Sequence, residues 1–269
     1  MPRIAVGIEY DGSAFAGWQH QAHARSVQGE LERALAVVAN HEVSLTAAGR
    51  TDAGVHALQQ VAHFDTSADR PGHAWVLGGT AAAADDVTIL WAREVPRHFH
   101  ARHAALSRSY LYRVLNRRMR PALERQRMYW VRRPLDAGAM HAAAQGLIGE
   151  HDFTSFRASE CQSSTPMRRL AELAVVRHGD VVEVTVRANA FLHHMVRNIV
   201  GSLLQVGAGE RPVEWLREVL DARDRTRAGP TAPPQGLYFA AVDYPAEFGL
   251  PCGPCASGRL GSDSPGDPP

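Results

Sequence analysis

Residues 43–64 read VSLTAAGRTDAGVHALQQVAHF. Two strand-like runs, VSLTA (43–47) and QVAHF (60–64), flank a turn-rich segment in which Gly49 and Gly54 bracket one carboxylate, Asp52. Upstream, RIAVGIEY (3–10) alternates, with Ile4, Val6, Ile8 and Tyr10 on one face, and stops at Asp11-Gly12. Ser26 then stands as an N-cap before Val27, Leu31, Leu35 and Val38, which recur at helical spacing. Downstream, 71–84 suits a helix and VTILWA (87–92) a strand. The resulting order, β-α-β-β-α-β, is the split arrangement of ferredoxin-like domains.

The second half repeats that rhythm. SYLYRVL (109–115) reads as a strand, 136–146 as a helix, AELAVV (171–176) and VVEVTVRA (181–188) as strands, 192–206 and 213–221 as helices, and GLYFAAVDY (236–244) as a last strand. The expected fold class is α+β: two ferredoxin-like, RRM-like halves, residues 1–103 and 104–245, whose mixed antiparallel sheets join side by side with helices on one face. The other face of such a sheet can carry RNA. In the closing stretch from Gly249, 13 of 21 residues are Gly, Pro or Ser, and 246–269 is expected to be a disordered tail. Within it, Cys252-Gly-Pro-Cys255 matches a thioredoxin-type redox sequence, but the residues that follow cannot build the helix that lowers the first thiol's pKa. As a zinc site it is half a ligand set that His98, His100 and His103 would have to complete, so no metal is expected.

Composition narrows the chemistry further. All 29 basic residues other than histidine are arginine. Without lysine the chain cannot form a Walker phosphate loop, a pyridoxal Schiff base or a Ser-x-x-Lys acyl enzyme. Gly49-x-x-x-x-Gly54 is accordingly followed by Val55 where a phosphate loop needs lysine. The net charge is only +1, yet residues 97–133 hold eleven arginines against one acid, Glu124. A basic block on a near-neutral chain is the footprint of a polyanion partner, and arginine's planar fork suits phosphate and base stacking. Arg102, Arg108, Arg113, Arg117 and Arg118 are the candidate RNA contacts within it. Three scattered cysteines, no apolar run of membrane-spanning length and no export signal at the start give a cytoplasmic, non-membrane expectation.

Two readings of Asp52 stand side by side. Asp-x-Gly is commonly a turn in which the carboxylate caps its own backbone and the glycine takes positive φ. Arg50, two residues earlier, suggests a reagent instead, because a guanidinium beside a carboxylate lowers its pKa by roughly 1 to 3 units and suits a nucleophile. A non-catalytic RNA-binding protein would equally explain the basic block. A glycosidase normally needs two carboxylates in one site, and this segment offers Asp52 with Asp65 thirteen residues on.

The chain resembles the TruA-type tRNA pseudouridine synthases through IEYDGSAFAGWQ (8–19), SVQGELERAL (26–35), AGRTDAGVHALQQVAHFDT (48–66), FHAR (99–102), SYLYRVLN (109–116), GEHDFTSFRASECQSSTP (149–166), RANAFLHHMVRNIVGSLLQVG (187–207) and GLYFAAVDYP (236–245). The resemblance implies a homodimer without a cofactor that isomerises uridines in the anticodon arm of tRNA, at tRNA positions thirty-eight to forty. It makes Asp52 the catalytic carboxylate, Tyr110 the aromatic residue against the flipped base, Arg197 the partner of the aspartate, and Arg50 the residue that fills the vacated stack. From the residues alone, Tyr110 alternates with Tyr112 and Val114 and could be core. Arg197, between Val196 and Ile199 on an expected helix, would be buried only beside an acid. At 77–90, Thr80 and alanines stand where the family usually shows asparagine and a Leu-Pro pair.

Overall fold

The computed structural model describes residues 1–251 and 253. The first half comprises β1 (Arg3–Tyr10), α1 (Val27–Ala39), β2 (Thr46–Ala47), β3 (His56–Asp65), α2 (Gly72–Ala82) and β4 (Val87–Val95). The second comprises β5 (Ser107–Asn116), β6 (Tyr129–Val131), α3 (Ala137–Gln145), β7 (Gly149–Asp152), β8 (Met167–His178), β9 (Val181–Ala188), α4 (Met195–Gly207), α5 (Trp215–Ala222) and β10 (Leu237–Asp243).

Local chemistry explains most of these bounds. Ser26 accepts the Gly29 N–H (3.3 Å) and starts α1, which buries Val27, Leu31 and Leu35 and ends at Asn40 in the left-handed region. Asp136 caps α3 in the same way, through Ala139 N–H (2.9 Å). The run VSLTA is mostly not a strand. Only Thr46 and Ala47 pair, with His63 and Ala62, because α1 takes the backbone just before them: Glu32 accepts the Leu45 N–H (2.9 Å) and Gln28 reaches the Leu45 carbonyl (3.4 Å). β3 in turn starts at His56, four residues earlier than the periodicity of QVAHF indicates.

The strands form one large, mostly antiparallel sheet in the order β4-β1-β3-β10-β5-β9-β8-β7, with β2 added to β3 and β6 to β5. β10 is the seam. It runs antiparallel to β5, and parallel to β3 through Tyr238 opposite His56 and Phe239 opposite Ala57. Two apolar cores lie on either side of it, one around Val6, Leu31, Leu35, Phe64 and Trp75, the other around Tyr112, Phe153, Val184, Ile199 and Leu203. Phe239 belongs to the first core and Leu237 to the second, and Val55, three residues after Asp52, packs into the second although it precedes β3. The Asp52 turn therefore passes from one core to the other.

Part of the stretch from 246 is packed. Ala246–Phe248 form a 3-10 turn, Phe248 is buried against Phe99, and Gln59 donates to the Pro251 carbonyl (3.3 Å). An apolar side chain with a ready aromatic partner anchors this piece despite its composition. Cys252 and residues 254–269 of the expected disordered tail, Cys255 among them, lie outside the described residues. Among the described residues no helix is long and apolar enough to cross a membrane.

Candidate active site

Asp52 is delivered by a turn whose backbone is held on several sides. Gly54 takes φ +76° and the Val55 N–H donates to the Asp52 carbonyl (3.2 Å), so the Asp-x-Gly turn is made. The Asp52 side chain does not cap it. The residues before it are tied down by Trp18 N–H to Thr51 O (3.0 Å), by a hydrogen bond between the Tyr10 and Thr51 hydroxyls (2.7 Å), and by Gln60 donating to Gly49 O (2.8 Å). Behind the turn, His56 is buried; its Nδ1 accepts the Gly12 N–H (3.1 Å), while Nε2 faces the carbonyls of Gln126 (2.9 Å) and Gln235 (3.2 Å). That ring joins three loops, and burial holds its pKa below the ordinary imidazole value.

The freed carboxylate meets the start of α4. Arg197 Nη1 donates to Asp52 Oδ2 (3.1 Å), and His194 Nε2 lies 3.2 Å from the same oxygen. His193 Nε2 lies 3.4 Å from Oδ1, with the two imidazole rings 3.9 Å apart. His194 is the N-cap of α4 with φ +59°, a conformation that costs a non-glycine residue about 1 kcal/mol or more and turns its ring toward the aspartate rather than along the helix. Burial lowers the His194 pKa, opposed by the Asp52 charge. Neither histidine was singled out from sequence. The available signal was proximity along the chain: His194 stands three residues before Arg197, at the start of the helix that carries it.

Arg197 is itself fixed from behind. Its Nε donates to Ala232 O (2.8 Å), and Ala232 N–H returns a bond to the Arg197 carbonyl (3.0 Å). This needs the 229–232 segment to lie directly on α4. A Cβ on Gly201 would stand 1.7 Å from Pro230 O, and one on Gly229 would stand 2.9 Å from Gly201 O. Glycine at both positions is what admits the contact.

Tyr110, on β5, packs edge-on between Phe191 (4.9 Å) and Phe239 (5.1 Å), touching both cores yet only half-buried. Burial raises its phenol pKa, with Tyr10 and Asp52 adding to the rise. It is thus both a packing residue and a neighbour of the carboxylate. Arg50 is exposed, and the ion pairs of Asp52 are to Arg197, His193 and His194 rather than to Arg50.

The basic block is divided by the fold. Arg108 is partly buried and gives its donors to the carbonyls of Ala48, Arg102, Ala105 and Asn189. Arg113 pairs with Glu183 across β5 and β9 (3.1 Å), Arg127 with Asp11 (2.9 Å), and Arg133 with Glu210. Arg102, Arg117 and Arg118 are exposed; Arg117 reaches only the Met119 carbonyl (3.0 Å).

Asp52, His193 and His194 offer three ligand atoms within 4.8 Å of one another, the one such group among the described residues. The Arg197 guanidinium on the same carboxylate opposes a cation there. His98, His100 and His103 do not join that group: His98 packs at a tilt against Phe248 (5.5 Å), and His100 Nδ1 accepts the N–H groups of Arg102 and His103.

A family model described as tRNA pseudouridine synthase matches residues 7–114 and 143–245. The chain is 56% identical over 248 residues to a tRNA pseudouridine synthase A of Methylococcus capsulatus, covering 92% of each protein. It is 53% identical over 251 residues to one of Coxiella burnetii (93% of this chain, 96% of the relative), and 53% identical over 264 residues to one of Aeromonas hydrophila (98% of each). The chain therefore belongs to the tRNA pseudouridine synthase family, isomerases that act on tRNA.

Proposed function

We propose that Asp52 is the catalytic carboxylate of this isomerase and that its target is uridine in the anticodon stem-loop, at tRNA positions thirty-eight to forty. The observation that carries this reading is the carboxylate itself: a tightly tied turn at the seam of the sheet presents it, 30% exposed, to Arg197 and two imidazoles instead of spending it on its own backbone.

The reaction breaks the bond from ribose C1′ to N1, turns the uracil, and joins C1′ to C5, from which a proton leaves. No redox change and no external energy are required. A carboxylate beside the sugar can attack C1′ or stabilise the positive charge that develops there, as in glycosyl transfer. Attack on the uracil ring and a glycal route use the same group. In this reading Arg197 orients the carboxylate, Tyr110 offers its ring edge to the extruded base, and Arg50 occupies the gap in the stack. Extruding the base costs a few kcal/mol, offset by contacts to the RNA backbone. Arg102, Arg117 and Arg118 are free to make them, with Arg113 beside Glu183, whereas Arg108 braces the loop below.

We further infer two ferredoxin-like halves, 1–103 and 104–245. The orders β4-β1-β3-β2 and β10-β5-β9-β8 are equivalent and each half has its own core, which supports the division. A homodimer follows from the resemblance, and light scattering tests it. Asp52→Asn tests the chemistry: it abolishes the product detected as an alkali-stable carbodiimide adduct while leaving RNA affinity within about tenfold, because the charge acts mainly in the transition state. Surviving turnover would remove Asp52 from the reaction.

A further inference from the structure

Beside the aspartate lies a second polar feature. A cavity of about 560 Å³ is lined by Thr154, Arg157, Ser159, His194, Asn198, Arg225 and Thr231, among others. His194 forms part of its wall and also faces Asp52 at 3.2 Å, so the cavity adjoins the reactive carboxylate.

Its charge is unbalanced. Among the described residues neither Arg157 nor Arg225 has a carboxylate partner. Arg157 donates to the carbonyls of Cys161 (2.6 Å) and Ser163 (2.9 Å), and Arg225 to Gly229 O, Asn198 Oδ1 and Thr231 Oγ1 (each 3.0 Å). These neutral oxygens hold both forks in place without cancelling either charge. Of the acids close in sequence, Asp152 caps Thr154 (2.9 Å) and Asp224 caps Thr226 (2.9 Å), while Glu160 is exposed and does not line the cavity. A half-buried guanidinium without a counter-ion is a standing cost, and burial alone accounts for the lowered pKa of Arg225. α4 also begins at this wall without a side-chain cap, and its dipole adds positive potential.

We propose that this cavity is a subsite for a phosphodiester of the substrate RNA strand, next to the uridine at Asp52, bound by the Arg157 and Arg225 guanidiniums, with buried Asn198 holding Arg225 and Thr231 in place from behind. It rests on the reading of Asp52 as the catalytic group. It makes the backbone around the extruded nucleotide, rather than the base alone, what the enzyme grips beside the reaction centre.

The test is a charge-deletion cycle on fluorescently tagged anticodon stem-loop RNA, read by anisotropy across a salt series. Arg157→Gln is expected to weaken binding about tenfold and to flatten the slope of log affinity against log salt by about 0.7 to 0.9, the contribution of one neutralised phosphate. Arg157→Lys is expected to keep the slope. Replacing single phosphates by neutral methylphosphonates identifies the linkage: at one position beside the target uridine the wild type should lose the same tenfold, and Arg157→Gln should lose nothing more. An unchanged salt slope, or full additivity at every linkage, overturns the subsite. Should Arg157→Gln fail to fold, Arg225→Gln takes its place in the same cycle, with the same losses expected and the same results overturning the subsite. Product formation measured alongside separates the two readings, since wild type without pseudouridine sinks the function, whereas product with additive losses sinks only the subsite.

Discussion

One added methyl group at Gly201 tests how the fold builds the site. Its Cβ would stand 1.7 Å from Pro230 O and 3.2 Å from Ala232 N, and both obstacles are backbone, so no side chain can swing aside. Reaching an ordinary contact requires α4 and the 229–232 segment to part by more than about 1 Å. Overpacking of this kind costs about 1–3 kcal/mol. The shift also strains the paired bonds between Arg197 and Ala232, about 1 kcal/mol each, and Ala232 is only 3% exposed, so water does not replace them readily. Alanine's better helix propensity returns about 1 kcal/mol. The net destabilisation in Gly201→Ala is therefore about 2–4 kcal/mol, a fall in Tm of roughly 5–15 °C. Because Arg197 moves with Ala232, the carboxylate loses its partner's position, and a displacement of about 1 Å costs on the order of 100-fold in rate. Turnover is read as tritium released from [5-3H]uridine RNA, since bond formation at C5 expels that hydrogen, at a temperature where circular dichroism shows full folding. Gly179→Ala is the control: it has φ +58° and no neighbour within 4 Å, so it should lose about 1 kcal/mol of stability and no activity. A Gly201→Ala protein with unchanged Tm and turnover within threefold of wild type would refute the reasoning.

Other substitutions probe single groups. Arg197→Lys keeps a charge but cannot hold Ala232 O and Asp52 Oδ2 together, so kcat/KM should fall at least tenfold, and parity with wild type would deny Arg197 its orienting part. Tyr110→Phe preserves the packing on Phe191 and Phe239; RNA affinity should hold within twofold while kcat falls at least tenfold, and an unchanged kcat would leave Tyr110 only its ring. His63 is buried and its pKa is lowered to about 4 by burial, helped by Arg3 and His100, so the unfolded chain takes up this proton first as pH falls. The native state should lose up to about 3 kcal/mol between pH 6.5 and 4 from this residue. His63→Asn can still accept the Ala101 N–H that His63 Nδ1 accepts, and should flatten urea midpoints over that pH range; an undiminished slope would assign the effect to other groups.

What the residues alone determined is what depends on near neighbours. Alternation in 3–10 and 181–188 marked β1 and β9, and Ser26 and Asp136 marked the starts of α1 and α3, because periodicity and capping act over a few residues. The motif around Asp52 was legible as a whole for the same reason. Its alternatives were not separable there, since a turn and a reagent use the same Asp-x-Gly; in the structure the backbone turns while the carboxylate goes to Arg197, His193 and His194. Tertiary structure decided where it goes. The partner that a reading by proximity offered, Arg50, faces solvent, and the one that holds the carboxylate, Arg197, which was legible in the sequence only through the family resemblance, is 145 residues away. The same holds for the arginine block, whose count was correct but whose free charge depended on Glu183, Asp11, Glu210 and the carbonyls around Arg108. Pairing energies fall off within a few ångströms, so which charges are satisfied is set by contacts between distant segments. β10, lying between β3 and β5, brings those segments together.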